Sequence, residues 1–312
     1  MKRMTQLLSA VLLSVATFAL PAHADTYAQT KYPIILVHGM AGASKFFGLV
    51  DYFYGMPADL RSRGANLYVA DLSAFNDTYV RGEQLAAQVR TVLATTGAKK
   101  VNLIAHSQGG FDSRYVATIM PGAIASITTI NTPHRGSQFA DFLKEIPEGP
   151  KAIATSSVDI IGKILGWFNG KDNQDSAKLL EFLAGDGANR FNAAYPTAAL
   201  NGSCGAGASS ETRQGNVQYL YSWTGKGNFT NLLDVADPFF VAAGLVMRAR
   251  GSGDNDGVVS VCSASFGKVI ASNYNWNHID AHNQVLGLVD PFSTNPKTAV
   301  RNHANRLKMA GL

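Results

Sequence analysis

Val101-Asn102-Leu103-Ile104-Ala105-His106-Ser107-Gln108-Gly109-Gly110 is an apolar strand that runs into a serine flanked by small residues, with a helical pattern directly behind it. A strand–Ser–helix turn of this kind crowds the backbone two positions before and two after the serine, so both must carry minimal side chains. Here they are Ala105 and Gly109. Alanine departs from the usual glycine at the first position, but it adds only one methyl group. The turn lifts a serine hydroxyl above the end of a sheet, which makes Ser107 the candidate nucleophile.

Working outward, residues 33–130 alternate short apolar runs with helical patterns. Ile34-Ile35-Leu36-Val37 reads as a strand buried on both faces, and Asn66-Leu67-Tyr68-Val69 as a second. From Arg81 to Thr95 a helix places Leu85, Val89, Val92 and Leu93 at helical spacing, and Gly97 stops it. Val101 to Ala105 is a third strand, Phe111 to Met120 a helix ended by Pro121, and Ile124 to Ile130 a fourth strand. Such alternation predicts an α/β fold built on a parallel sheet. Gln218 to Trp223 and Gly267 to Ala271 are candidate last strands. Thr298 to Met309 reads as a short terminal helix with a basic polar side. Ile153, Ile160, Ile161, Ile164, Leu165 and Phe168 share one face of a further helical segment. Nothing splits the chain after its leader, so residues 25–312 are expected to form one domain.

The chain has 312 residues, of which 46% are hydrophobic and 16% charged, a composition that excludes disordered, collagenous and coiled-coil classes. Lys and Arg exceed Asp and Glu by 27 to 22 without forming a basic stripe, which argues against a nucleic-acid partner. Residues 1–24 read as a signal peptide. Lys2 and Arg3 form a basic start, Leu7 to Leu20 an apolar run too short to span a bilayer, and Ala22-His23-Ala24 a cleavage site. The mature chain is therefore expected to be secreted. Its two cysteines, Cys204 and Cys262, are most simply one disulfide in an oxidising compartment, since neither has metal-site spacing. On the chain-entropy model a loop of that length contributes roughly 4 kcal/mol.

A serine nucleophile needs donors for the oxyanion and a base for its proton. One donor is the backbone N–H of Gln108 at the start of the helix. The other is expected in the loop His38-Gly39-Met40-Ala41-Gly42 after the first strand, where the Met40 N–H is best placed. In an elbow of this kind the chain order is serine, acid, histidine. His106 adjoins the serine and points away, His134 comes too early, and His303 lies among Arg301, Arg306 and Lys308 on an expected solvated face. His278 and His282 remain. Spacing favours His278, which follows an Asn-rich loop over 273–277 and precedes a helical pattern from Ala281. For the acid, Asp254 and Asp256 lie in a flexible turn, with Asp234 and Asp237 more distant, and spacing alone does not separate them.

The combination of residues 27–33 (Tyr-Ala-Gln-Thr-Lys-Tyr-Pro), His38-Gly39-Met40, Val80-Arg81-Gly82-Glu83-Gln84-Leu85, the elbow, Arg190-Phe191-Asn192, Asn255-Asp256-Gly257, Asn277-His278-Ile279-Asp280 and the tail from His303 to Lys308 resembles the secreted bacterial true lipases of the Pseudomonas and Burkholderia type. The resemblance spans essentially the whole mature chain. It implies the α/β-hydrolase fold, a mostly parallel central sheet flanked by helices, with a helical lid insertion over about 148–185. It implies a triacylglycerol lipase that works at a lipid–water interface through Ser107, Asp256 and His278. A short-chain carboxylesterase or polyester hydrolase using the same triad is the alternative. It further implies a Cys204–Cys262 bridge and one structural Ca²⁺ held by the carboxylates of Asp234 and Asp280 and backbone oxygens of Gln284 and Leu288. A lipase-specific foldase chaperone and the type II secretion machinery are the implied partners. Ala105 and the residues of the lid depart from the family pattern, which bears on substrate range more than on mechanism.

Overall fold

The computed structural model describes residues 25–40, 45–46, 50–145, 176–200 and 204–312. The expected signal peptide over 1–24, the apolar-faced segment containing Ile153 to Phe168, and most of the expected lid lie outside these residues.

A twisted sheet is built from β1 (Ile34–Val37), β4 (Leu67–Val69), β5 (Val101–His106), β6 (Ile124–Ile130) and β8 (Asn216–Gly225), in the order β4-β1-β5-β6-β8, all parallel. The far edge of β8 is shared. β7 (Ser210–Arg213) pairs antiparallel with its first half, and β9 (Lys268–Tyr274) runs parallel to its second. A two-stranded ribbon, β2 (Lys45–Phe46) with β3 (Val50–Asp51), stands apart.

β1, β5 and β6 are buried at every position, as uninterrupted apolar runs between two helical layers must be. The period-two alternation of a strand then sorts them between two cores. Ile34, Leu36 and Ile104 pack with Trp223, Trp276 and the C-terminal helix residues Val300, Ala304 and Leu307. Ile35, Val37, Leu103 and Ala105 face Leu85, Ala86, Val89 and Val92, together with Val116 and Ala117. These last come from α2 (Thr78–Thr96) and α3 (Gly109–Ile119), preceded in the chain by the short α1 (Met56–Arg61). α2 begins before Arg81 because the Asp77 carboxylate accepts from the N–H groups of Tyr79 and Val80 at 2.9 and 3.0 Å, and it ends at Gly97 as expected.

The remaining helices are α4 (Gln138–Glu145), α5 (Ser176–Leu183), α6 (Gly185–Ala194), α7 (Asp237–Ala249), α8 (Val261–Ala264) and α9 (Pro296–Met309). Cys204 and Cys262 form a disulfide with their Cα atoms 4.7 Å apart, joining the segment before β7 to α8.

Two sequence readings are corrected, and two elements had none. The antiparallel edge strand β7 and the helix α7 were not legible as elements. The helical pattern from Ala281 is a single 3₁₀ turn, Asp280–His282, because Asn283 adopts a left-handed backbone (φ 68°) that ends it. His303 is not on a solvated face but fully buried. It shares the apolar stripe of Val300, Ala304 and Leu307 at helical spacing, and Arg306 reaches over to donate to its Nδ1 at 3.0 Å. Its Nε2–H donates to Thr128 Oγ1 at 2.6 Å, and its ring sits edge-on to Trp223 and Tyr221.

Candidate active site

β5 delivers Ser107 at the C-terminal edge of the sheet with φ 54°, a strained conformation for a non-glycine residue, and α3 begins two residues later. The Ser107 N–H donates to Ile130 O at 2.9 Å, which ties the elbow to β6. The turn is crowded on both sides. A Cβ on Gly109 would stand 2.6 Å from Val37 O, and one on Gly39 would stand 2.7 Å from Ser107 Cβ. Both positions therefore exclude a side chain. The Ala105 methyl, by contrast, is fully buried among the apolar residues facing α2 and α3, so the departure from glycine is accommodated.

His278 Nε2 lies 3.0 Å from Ser107 Oγ, and His278 Nδ1 lies 2.7 Å from Asp256 Oδ2. The network assigns Nδ1–H as donor to Asp256, leaving Nε2 to accept the serine proton. Asp256 is completely buried, and its other oxygen accepts from the N–H groups of Val258 and Val259 at 2.8 and 2.6 Å. The two loops are also clamped through the backbone, since His278 N–H donates to Asp256 O at 2.9 Å.

The other candidates lie elsewhere. Asp254 is a surface residue, 61% exposed, paired with Lys226 at 2.9 Å. Asp237 is buried and accepts from the N–H groups of Thr230 and Asn231 and from Asn277 Nδ2, so it organises the loop before α7. His282 stacks on Tyr52 at 4.1 Å and donates through Nδ1–H to Tyr52 O. His134 is buried against Phe266. Among the described residues, only Ser107, His278 and Asp256 come together as a nucleophile, base and acid.

The backbone N–H groups of Met40 and Gln108 carry no hydrogen bond among the described residues, and Gln108 caps the N-terminus of α3. Unpartnered N–H groups beside a buried serine are what an oxyanion requires. Their frame is set by residues that sequence reasoning assigned no role. Arg81, fully buried, donates to Asp112 Oδ2 at 2.8 Å and to His38 O at 2.7 Å, joining the loop of Met40 to α3. Burial raises the Asp112 carboxyl to about 6, with Arg81 opposing it. Tyr52 accepts from Gly39 N–H at 3.1 Å and donates to His106 Nδ1 at 2.7 Å; His106 Nε2–H then donates to His278 O at 3.0 Å. Burial holds the His106 ring neutral, its pKa far below the usual range. A chain of hydrogen bonds thus runs from the oxyanion loop to the loop of the base.

Asp234 and Asp280 are the residues that could hold a cation. Both are buried, and each has one carboxylate oxygen without a hydrogen-bond partner, Oδ2 of Asp234 and Oδ1 of Asp280. Burial raises the Asp280 carboxyl to about 8, and Asp234 and Asp237 raise it further by like charge. The carbonyl oxygens of Gln284 and Leu288 accept no hydrogen bond among the described residues. Two orphaned carboxylate oxygens with free carbonyls form a hard, all-oxygen donor set that suits Ca²⁺. No group of three or more Asp, Glu, His or Cys side chains gathers for a metal among the described residues. A site here would therefore rest on backbone oxygens as well.

A family profile for the alpha/beta hydrolase fold matches residues 32–281. Over 93% of the chain and all of the relative, the sequence is 45% identical to a triacylglycerol lipase of Pseudarthrobacter phenanthrenivorans. It is 44% identical to a triacylglycerol lipase of Burkholderia plantarii over 96% of this chain and 92% of that one. A third, from Pseudomonas fragi, is 35% identical over 92% of this chain and its own full length. Among solved structures, the mature form of a Bacillus licheniformis lipase superposes with a TM-score of 0.60 at 20% identity, covering 89% of this chain and 93% of that one.

Proposed function

Since the chain belongs to the alpha/beta hydrolase fold family, and within it to the bacterial triacylglycerol lipases it matches along nearly its whole length, we propose that it hydrolyses triacylglycerols through Ser107, His278 and Asp256. Ser107 Oγ attacks the ester carbonyl while His278 Nε2 takes its proton. Asp256 holds the imidazole in its working tautomer and stabilises the imidazolium. The N–H groups of Met40 and Gln108 receive the oxyanion. His278 returns the proton to the departing diacylglycerol oxygen. A water, deprotonated by the same histidine, then releases the fatty acid from the acyl-Ser107 ester.

The observation that supports this reading most is the unbroken line from Asp256 through His278 to Ser107, at 2.7 and 3.0 Å, with the N–H groups of Met40 and Gln108 unpartnered among the described residues. The experiment is a rate profile on emulsified triacylglycerols of several chain lengths and on a soluble short-chain ester, taken below and above substrate saturation. A triacylglycerol lipase turns over the emulsions, faster once substrate forms an interface. Activity confined to dissolved short-chain esters would make the chain a carboxylesterase using the same residues.

Ca²⁺ belongs to the same reading. Bound by Asp234, Asp280 and the carbonyl oxygens of Gln284 and Leu288, it would neutralise two buried carboxylates and hold the loop that follows His278. Because it binds only the native state, millimolar Ca²⁺ is expected to raise the melting temperature, with about 2.7 kcal/mol of stabilisation at a hundredfold excess over Kd. EDTA, or Asp234→Ala with Asp280→Ala, lowers the melting temperature and abolishes its Ca²⁺ dependence. A melting temperature unchanged between EDTA and Ca²⁺ removes the ion from the account. The leader pattern of residues 1–24 supports export to the periplasm, and the foldase and the type II route are carried over from the resemblance to the secreted lipases alone.

A further inference from the structure

β6 ends at Ile130, and the next residue, Asn131, is fully buried with φ 49°. Glycine adopts that backbone at least cost, so a larger residue there calls for a use of its side chain. Both ends of the Asn131 amide are engaged. Its Oδ1 accepts from Gly225 N–H at 3.2 Å, which fixes the amide orientation, since an N–H cannot donate to an NH₂ group. The Nδ2 therefore faces Asp256 and donates to Oδ2 at 2.5 Å.

That oxygen is the one that His278 Nδ1 contacts, whereas Oδ1 is taken by the N–H groups of Val258 and Val259. Asp256 is thus a buried carboxylate held by four donors, with no Lys or Arg bonded to it among the described residues. Three donors come from the backbone of its own loop or from the base. Asn131 alone among them reaches it from the end of the central sheet, and it does so at the oxygen that His278 contacts. We propose that Asn131 is a positioning residue for the acid: its amide anchors Asp256 Oδ2 to the end of β6 and keeps that oxygen aimed at His278 as the imidazolium forms. This inference rests on the triad reading above and extends it to a residue that touches no substrate.

Because Asn131 acts through Asp256, its removal lowers kcat and leaves KM nearly unchanged. Asn131→Gly keeps the left-handed backbone and deletes the amide; kcat is expected to fall about tenfold, with KM within about twofold, the scale of one hydrogen bond to a charged group where others remain. Asn131→Asp preserves size and backbone preference but sets a second carboxylate against Asp256, so its loss exceeds that of the glycine variant. The low-field proton resonance of His278 Nδ1–H, recorded on both variants, shifts from its wild-type position.

A kcat within about twofold of wild type in a folded Asn131→Gly, a loss carried by KM, or an unmoved resonance overturns the proposal. Should the glycine variant fail to fold, Asn131→Asp carries the same test: unchanged kcat there is equally fatal. Asp256→Asn serves as the reference. If it remains active, the triad reading itself fails; if it is inactive while the Asn131 variants match wild type, only the positioning role fails.

Discussion

Ser107→Ala lowers triacylglycerol hydrolysis by on the order of a millionfold, with the melting temperature at or above that of the wild type. The size follows from the geometry. Among the described residues no other hydroxyl stands at His278 Nε2, and the residual rate comes only from binding and the N–H groups of Met40 and Gln108. Stability is spared because, among the described residues, the hydroxyl bonds only to His278, and the substitution frees the elbow of a polar group while leaving the Ser107 backbone bond to Ile130 intact. Parallel initial-rate and thermal-melt measurements check both halves. Activity within about tenfold of wild type would place the nucleophile elsewhere.

Asp256→Asn is expected to cost about 10⁴ in kcat, and Asp254→Asn less than about twofold. The contrast comes from what each carboxylate touches. At 256 an amide cannot satisfy every neighbour. If its oxygen accepts from Val258 and Val259, its NH₂ group faces His278 Nδ1 and Asn131 Nδ2. The imidazole must then turn Nδ1 into an acceptor and carry its proton on Nε2, where it can no longer take one from Ser107. Asp254 loses only an exposed pair with Lys226, which contributes little. Matched kinetics on the two variants decide the assignment. Equal losses, or an inactive Asp254→Asn, reverse it.

The elbow was legible because its logic is local. A strand run, small residues at Ala105 and Gly109 and a helix onset sit within ten positions, and the structure meets them in the same order. The buried runs of β1, β5 and β6 were legible for the same reason. Spacing already favoured His278 over His282, and the fold turns the first toward Ser107 and the second onto Tyr52. What escaped depends on distance along the chain. Asp254 and Asp256 differ in burial, which a Gly-rich turn does not reveal. Asn131 meets Asp256 across 125 positions and Tyr52 meets His106 across 54, with no periodic signal to link them. His303 was misread through its basic neighbours, although its spacing from Val300 and Leu307 carried the correct sign of burial.

The most direct test of the central claim is active-site titration of the wild-type chain with a phosphonate analogue of a triacylglycerol, followed by peptide mass mapping. The analogue presents a tetrahedral, electrophilic phosphorus bearing a leaving group where the acyl carbon would be attacked, so the hydrolytic nucleophile displaces that leaving group and retains the phosphonyl. The account predicts one phosphonyl group per chain, located on Ser107, with activity lost in proportion to labelling and no incorporation in Ser107→Ala. Label on another residue, or triacylglycerol hydrolysis that survives complete labelling of Ser107, would contradict it.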